Sequence, residues 1–237
     1  MQGTESCVII IFRLGVAMAD DHYSLSAKVF HTLREDILNG KYQAREELKE
    51  ADIGKEMGVS RTPVREALRQ LELEGLVNII PNKGAFVVGV TLKDIKDIYE
   101  MRTLLEGLCA RWAAQNITDQ QLEQLDETIF LSEFHYAKEN WDQILILDNR
   151  FHELVYEACG SRELTRALRD YHHYLQRIRK ITLGQKERVK ASNEEHKKIA
   201  EALKERNPEA AEESAKLHIR STISNMDKIG WENLIKP

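Results

Sequence analysis

The sequence has little of what interrupts a helix, with only four prolines and twelve glycines among 237 residues. This scarcity favours long helices over a β fold, which needs many turns. The three cysteines, Cys7, Cys109 and Cys159, lie far apart and form no CxxC pair, which excludes a disulfide framework and predicts reduced thiols in a cytoplasmic protein. The apolar run over residues 7–18 contains Arg13 and is too short to span a bilayer, so no membrane partner is expected.

The overall charge excludes a polycation. Because the formal net charge is −5, any binding of nucleic acid must come from a local basic patch. Hydrophobic residues make up 42% and charged residues 31% of the chain, a balance typical of globular domains. Residues 1–23 predict an irregular N-terminal extension, and a start of translation at Met18 instead of Met1 is a further hypothesis.

Residues 24–90 predict three helices followed by a β-hairpin, which is the plan of a winged helix-turn-helix domain. Apolar residues recur there at helical spacing, and Ser24 and Gly40 suit the two ends of the first helix. Two β-branched runs then flank the turn sequence Pro81-Asn82-Lys83-Gly84. The predicted helices span residues 24–39, 49–57 and 61–74, and the predicted strands span residues 76–80 and 85–90.

The rest of the chain, residues 91–230, predicts a second domain that is a bundle of about six helices. Residues that cap helices stand at most of the predicted starts. They are Thr91 with Asp94, Thr118 with Gln121, Asn140, Ser161, and Asn207 before Pro208. The predicted helices span residues 92–115, 119–138, 141–158, 162–182, 186–206 and 208–229. The fold class is therefore mostly α, with the domain boundary near Val90–Thr91.

The helix that begins near Arg61 has a basic face. Arg61, Arg65 and Arg69 follow one another at four-residue spacing and share one side, while Val64 and Leu68 lie on another. A helix of this kind can enter the major groove of DNA, where an arginine can bond to O6 and N7 of a guanine. The alternative is a solvated helix face whose arginines pair with nearby glutamates.

Three further residues extend this candidate DNA-binding surface. Thr62 lies in the first turn, where helix N–H groups attract phosphate. Lys83 at the tip of the hairpin can reach an adjacent groove, and Gly84 lets the backbone approach DNA closely. Residues 28–83 contain ten Lys and Arg against ten Asp and Glu, so the clustering of cations supports DNA binding and the net charge does not.

One motif covers the turn and the basic helix. It reads Gly58-Val59-Ser60-Arg61-Thr62-Pro63-Val64-Arg65-Glu66-Ala67-Leu68 and continues with Leu71 and Glu74-Gly75-Leu76-Val77. The motif closely resembles the signature of the GntR superfamily of bacterial transcriptional regulators, and the resemblance covers about residues 24–90. It implies that Arg61, Thr62 and Arg65 contact DNA and that Asn82-Lys83-Gly84 is the tip of the wing.

A second group of residues, in the C-terminal half, has the chemistry of a metal site. Asp148 and His152 are four residues apart and share one helical face, whereas His196 and His218 lie on two other predicted helices. One carboxylate and three imidazoles inside a helical bundle can hold a divalent metal: imidazole suits Zn and Ni, and the carboxylate also admits Mn. The alternative for each histidine is a surface position or a hydrogen-bonded place in the core.

The order of these features resembles a known domain. Six helices follow the DNA-binding domain, with an Asp-x-x-x-His pair, a histidine in Asn193-Glu194-Glu195-His196 and another histidine one helix later. The opening helix contains Tyr99-Glu100-Met101-Arg102 with Leu105-Glu106. These residues resemble the metal-binding form of the FCD domain in the FadR subfamily, over about residues 91–229.

This second resemblance implies a divalent metal, Zn before Ni or Mn, at Asp148, His152, His196 and His218. A small organic acid would bind beside the metal. Arg102 is the candidate for the carboxylate of that acid, because a guanidinium fork matches a carboxylate. The alternative for Arg102 is an internal ion pair with Glu106, four residues further on.

The expected function is that of a homodimeric transcription factor, a repressor controlled by a small carboxylate metabolite. Each winged helix would read one half of a pseudo-palindromic operator. One alternative is a metal-dependent hydrolase or isomerase that uses the Asp and His residues, although no nucleophile elbow, HExxH or phosphate loop supports it. Another alternative is a structural DNA-binding protein that has no effector.

Overall fold

The computed structural model describes residues 24–234. The expectations for the N-terminal extension, including Cys7 and a start at Met18, lie outside the described residues. The chain divides between Gly89 and Val90 into two compact units. Cys109 and Cys159 are both buried in the second unit as free thiols.

The first unit is a small helical domain with a three-stranded sheet. Its apolar side chains point inward from every helix, and Val29, Val64 and Leu71 have no exposed surface. An ion pair between Arg34 and Glu74, at 2.7 Å, joins the first helix to the end of the third. Within residues 24–89 the elements are α1 (Leu25–Leu38), β1 (Glu47–Leu48), α2 (Glu50–Met57), α3 (Arg61–Leu73), β2 (Val77–Ile80) and β3 (Gly84–Val87).

The sheet of this unit is antiparallel, in the order β1-β3-β2. The predicted hairpin is present, but its second strand ends at Val87 instead of residue 90, because Gly89 turns the backbone to a φ of +71°. The strand β1, which pairs Glu47 with Phe86 and Leu48 with Ala85, was not predicted. Two residues are too few to show an alternating pattern.

The second unit is entirely helical over residues 90–234. The capping residues explain where its helices start: Thr91 and Thr118 each form a reciprocal capping box, as the sequence predicted. Asn140, Ser161 and Asn207 also cap their helices. The helices are α4 (Leu92–Asn116), α5 (Asp119–Ala137), α6 (Trp141–Ala158), α7 (Arg162–Tyr174), α8 (Gln176–Thr182), α9 (Lys186–Lys204), α10 (Pro208–Ile229) and α11 (Trp231–Leu234).

The single helix predicted over residues 162–182 is wrong, because the chain breaks at Leu175 into α7 and α8. Leu175 leaves the helical region, at φ −96° and ψ 3°, and its side chain is fully buried. The break turns α8 so that Ile178 and Arg179 are buried as well. No proline or glycine marks this position, so the periodic pattern runs through it unchanged.

Two large apolar clusters form most of the core of the second unit, and a small third cluster joins Ile144, Leu183 and Val189. The larger lies among α4, α5, α6, α7, α9 and α10 and includes Phe151 and Tyr156. The other large cluster contains residues of α4, α8, α10 and α11, among them Tyr99 and Trp231. No helix in the described part of the chain is both long and apolar enough to cross a bilayer. The predicted fold class, a winged helix-turn-helix followed by a helical bundle, is confirmed.

Candidate metal centre and nucleic-acid interface

The third helix of the first unit, α3, presents the predicted basic face to solvent. Arg61, Thr62, Arg65 and Arg69 are all exposed, whereas the opposite side of α3 is buried in the core. The helix begins at Arg61 after Ser60, whose side chain makes no capping hydrogen bond. The N–H groups of the first turn are therefore not used by that side chain and can bind a phosphate.

Arg65 is held by a carboxylate on the preceding helix. Its Nε donates to Oε1 of Glu50 at 3.0 Å and its Nη2 donates to Oε2 at 2.8 Å. The hydrogen bonds from Arg65 lower the pKa of Glu50, so this carboxylate is ionised. These two bonds orient the guanidinium along one edge, and neither of them uses the edge that carries Nη1.

Two of the glutamates nearer in sequence to these arginines have other partners. Glu72 accepts a hydrogen bond from the backbone N–H of Ile79 at 2.8 Å, and Glu74 pairs with Arg34. The sequence-based alternative, in which the arginines pair along a solvated helix, therefore does not describe these two glutamates. The partner that the structure gives to Arg65 comes from α2 and was missed, because it is fifteen residues away.

The tip of the hairpin exposes Lys83 and Gly84. A turn closes there, with the N–H of Lys83 donating to the carbonyl of Ile80 at 3.0 Å. Gly84 has a φ of +111°, and a Cβ at this position would lie 3.1 Å from Oε1 of Glu47. The turn therefore favours glycine, and it leaves the side chain of Lys83 exposed.

In the second unit, three of the predicted metal ligands come together. His152 on α6, His196 on α9 and His218 on α10 are all buried. One ring nitrogen of each lies within 4.8 Å of those of the other two. The ring of Phe151 stacks on His196, with the centroids 3.9 Å apart and the planes inclined by 13°. The histidines are thus fixed from three different helices.

Two carboxylates lie behind the cluster. Oε2 of Glu195 lies 2.8 Å from Nδ1 of His218, and Oε2 of Glu106 lies 3.6 Å from Nδ1 of His152. Because a carboxylate only accepts hydrogen bonds, Glu195 places the imidazole proton of His218 on Nδ1 and leaves its Nε2 as a lone-pair donor. Burial would raise the pKa of Glu195, but the hydrogen bonds from His218 and Arg188 lower it to about 2.

The chemistry of these residues fits a metal ion. Burial lowers the pKa of both His196 and His218 below the ordinary value, so both rings are neutral near pH 7. Nε2 of His196 is buried and has no hydrogen-bond partner among residues 24–234. A buried polar atom without a partner is unfavourable, and a metal ion with imidazole and carboxylate ligands would satisfy it.

Asp148 lies next to the three histidines. Its Oδ1 is 3.8 Å from Nε2 of His196, and its Oδ2 accepts a hydrogen bond from Arg179. Burial would raise the pKa of Asp148, but Arg179 and the histidines hold it well below its usual range. One carboxylate oxygen therefore faces the cluster, and the other is anchored by an arginine that also donates to Asn149 at 2.5 Å.

Arg102 forms the internal ion pair that the sequence left open as an alternative. Its Nη2 lies 2.6 Å from Oε1 of Glu106, and both side chains are buried. The hydroxyl of Tyr156 donates to the same oxygen at 2.6 Å. Burial would raise the pKa of Glu106, but Arg102 and His152 hold it well below its usual range.

A small cavity of about 20 Å³ is lined by His152, His218 and three arginines. The arginines are Arg102, Arg179 and Arg188. Sequence reasoning missed Arg179 and Arg188. Arg188 had a usable signal, because it lies eight residues before His196 on one predicted helix and therefore on nearly the same face. No sequence pattern marks Arg179, because the sequence does not predict the helix break at Leu175 that buries it.

Comparisons with known proteins agree on the identity of both units. Residues 25–87 match the family described as "Bacterial regulatory proteins, gntR family", and residues 97–221 match the FCD domain.

Two curated relatives match most of their length. The chain is 28% identical to the HTH-type transcriptional regulator YdhC of Bacillus subtilis strain 168, over 86% of this chain and 93% of that protein. It is 24% identical to the HTH-type transcriptional repressor RspR of Escherichia coli strain K12, over 88% of this chain and 92% of that protein. The solved structure of E. coli McbR/YncC has the same fold, with a TM-score of 0.69 at 20% identity, over 87% of this chain and 99% of that one.

Proposed function

Because the chain belongs to the GntR family of bacterial regulatory proteins and carries an FCD domain, we propose that it represses transcription as a homodimer under the control of a small carboxylate metabolite. The chain is a DNA-binding transcriptional regulator, not an enzyme. Four properties are proposed: repression, dimerisation, metal binding and control by an effector. The name of the relative RspR as a repressor supports the first of them.

In this proposal the first unit reads DNA through α3 and the hairpin. Arg61 and Thr62 contact phosphates at the start of the helix, and Arg65 reads a base with the edge that Glu50 leaves open. Lys83 and Gly84 lie against the backbone of an adjacent groove. A homodimer with two-fold symmetry would bind a pseudo-palindromic operator, with one winged helix on each half-site.

The proposed metal ligands in the second unit are Asp148, His152, His196 and His218. The observation that carries this assignment is the buried Nε2 of His196, which has no hydrogen-bond partner in residues 24–234 and belongs to a ring clustered with two further histidines. Imidazole-rich sites suit Zn²⁺ first, with Ni²⁺ or Mn²⁺ as alternatives. When bound, the metal would supply a Lewis acid that takes a carboxylate of the effector, with Arg102 among the residues around it.

The effector can act on transcription only through unequal affinity for two arrangements of the protein. If it binds more tightly to the form that leaves the operator, the operator must weaken effector binding by the same factor. This reciprocity gives the proposal a quantitative check that needs no knowledge of the regulated genes.

Metal content and metal affinity test the proposed site. We expect the full chain, purified without chelators, to contain about one divalent metal per protomer, measured by mass spectrometry of the elements. Titration calorimetry with Zn²⁺ should show that His196→Ala loses this binding. His173→Ala is the matched control, because His173 is an exposed imidazole outside the cluster. Equal Zn²⁺ affinity in the wild type and in His196→Ala would overturn the metal assignment.

A further inference from the structure

Arg188 is a buried arginine with unused hydrogen-bond donors. It lies on α9, and 3% of its side chain is exposed. Its Nη2 donates to Oε2 of Glu195 at 2.9 Å and to Oγ1 of Thr222 at 2.8 Å. Its Nε and Nη1 are buried and have no partner within residues 24–234. A buried cation with two free donors calls for an anionic acceptor.

Two neutral donors share this condition. The hydroxyl groups of Tyr99 and Ser192 are buried and lack a hydrogen-bond partner in the same described range. Both residues line the cavity that Arg188 lines. The lining of this cavity therefore carries four donor groups, from Arg188, Tyr99 and Ser192, that no acceptor within residues 24–234 satisfies.

The other two arginines of the cavity have carboxylate partners. Arg102 donates Nε and Nη2 to Glu106, and Arg179 donates to Asp148 and to Asn149. Arg102, the sequence-based candidate for the effector's carboxylate, thus already has a carboxylate partner within the protein.

We propose that Arg188, Tyr99 and Ser192 form an anion-binding site for a second acidic group of the effector, which is therefore a small dicarboxylate. This inference rests on the proposed function, because it assumes that the first carboxylate binds at the metal position. It adds the chemical class of the effector and a receptor that the histidine cluster alone does not provide.

The charges around the cavity favour a dianion. Three guanidinium groups are balanced by the three carboxylates that they bond, Glu106, Asp148 and Glu195. Imidazoles that bind a metal are neutral, so a divalent metal leaves two positive charges in a buried site. A dicarboxylate neutralises both, whereas a monocarboxylate leaves one charge and the donors of Arg188 unmatched.

The space near the site also indicates how such a ligand would enter. The inner cavity of about 20 Å³ holds little more than a water molecule. A larger pocket of about 390 Å³ shares Arg179 with the inner cavity as a lining residue. A shift of the Arg179 side chain would therefore be the route by which the two volumes could join into a site of the size that small ligands use.

The test compares succinate with butyrate, its monocarboxylate match, on the full chain loaded with Zn²⁺. We expect calorimetry to show that succinate binds about 10- to 100-fold more tightly than butyrate, since a buried charged hydrogen-bonding site is left unfilled by butyrate. The double variant Tyr99→Phe and Ser192→Ala keeps the histidines and their partners and should lose most of this preference. Arg188→Gln should lose it entirely.

The readouts separate this inference from the proposed function. Zn²⁺ stoichiometry is measured first for the wild type and for every variant. A wild type that binds no Zn²⁺ would count against the proposed function itself. If Zn²⁺ binds normally but succinate and butyrate bind equally, or if the double variant keeps the full preference, the dicarboxylate site is refuted. Tighter binding of inorganic phosphate than of succinate, malonate and glutarate would also overturn the assignment to a dicarboxylate.

Discussion

Arg65 offers the sharpest test of how this regulator reads DNA. We expect Arg65→Ala to weaken binding to the specific operator by about 5- to 150-fold, which corresponds to one bidentate contact with guanine. On random duplex DNA the loss should be smaller, because only one phosphate-attracting charge is removed. The salt dependence should then flatten by about one unit of slope.

The structure explains why the two losses should differ. Glu50 holds Nε and Nη2 of Arg65 at 3.0 and 2.8 Å, so the guanidinium is oriented before DNA arrives. Its outer edge, with Nη1 and the second hydrogen of Nη2, has the geometry of a guanine contact. The side chain is 57% exposed, so we expect its removal to leave the fold of the domain intact.

A binding-site selection from random duplexes supplies the operator, and fluorescence anisotropy at several salt concentrations measures the affinities. Glu50→Gln is the informative companion variant. It removes a negative charge near DNA and the support of Arg65, so random DNA should bind more tightly while the ratio of specific to random affinity falls. If Arg65→Ala weakens the operator and random DNA by the same factor, Arg65 does not read a base.

The remaining predictions concern the hairpin, the carboxylate behind the histidines and the packing of the helix-turn-helix. Lys83→Ala should weaken all duplexes alike and reduce the salt slope by about one unit, and a loss confined to one sequence would argue for base contact instead. Glu195→Ala should weaken Zn²⁺ binding by about 10- to 100-fold in calorimetry, whereas Glu194→Ala, an exposed neighbour, should not. Gly54→Ala should lower the free energy of unfolding of the first unit by about 1–3 kcal/mol, because the new Cβ would lie 2.9 Å from the carbonyl oxygen of Val59. Unchanged denaturant unfolding of that variant would contradict the packing.

The sequence predicted the helical elements well because their ends are local. A capping residue such as Thr91 or Thr118 bonds to the residue three positions further on. The start of the helix can therefore be predicted from a few consecutive residues. The break at Leu175 is different, since it follows from burying Leu175 against residues of other helices. The short strand β1 likewise exists only because β3 lies beside it.

The same distinction holds for the candidate site. Residue type, helical spacing and the resemblance to the FCD domain together nominated three histidines whose ring nitrogens the structure brings within 4.8 Å of one another. The partners of these histidines could not be nominated in this way. Arg179 meets Asp148 across 31 residues, and Glu106 meets Tyr156 across 50 residues, so their contacts depend on how the helices pack.

The helix α4 extends from next to the boundary between the two units to the cavity of the second unit. It begins at Leu92, only two residues after Val90 opens the second unit, and it carries Tyr99 and Arg102 in the cavity wall. A helix of 25 residues is a stiff rod about 37 Å long. Under the proposed function, a ligand that hydrogen-bonds to the Tyr99 hydroxyl would therefore act on the same helix that begins next to the boundary between the two units.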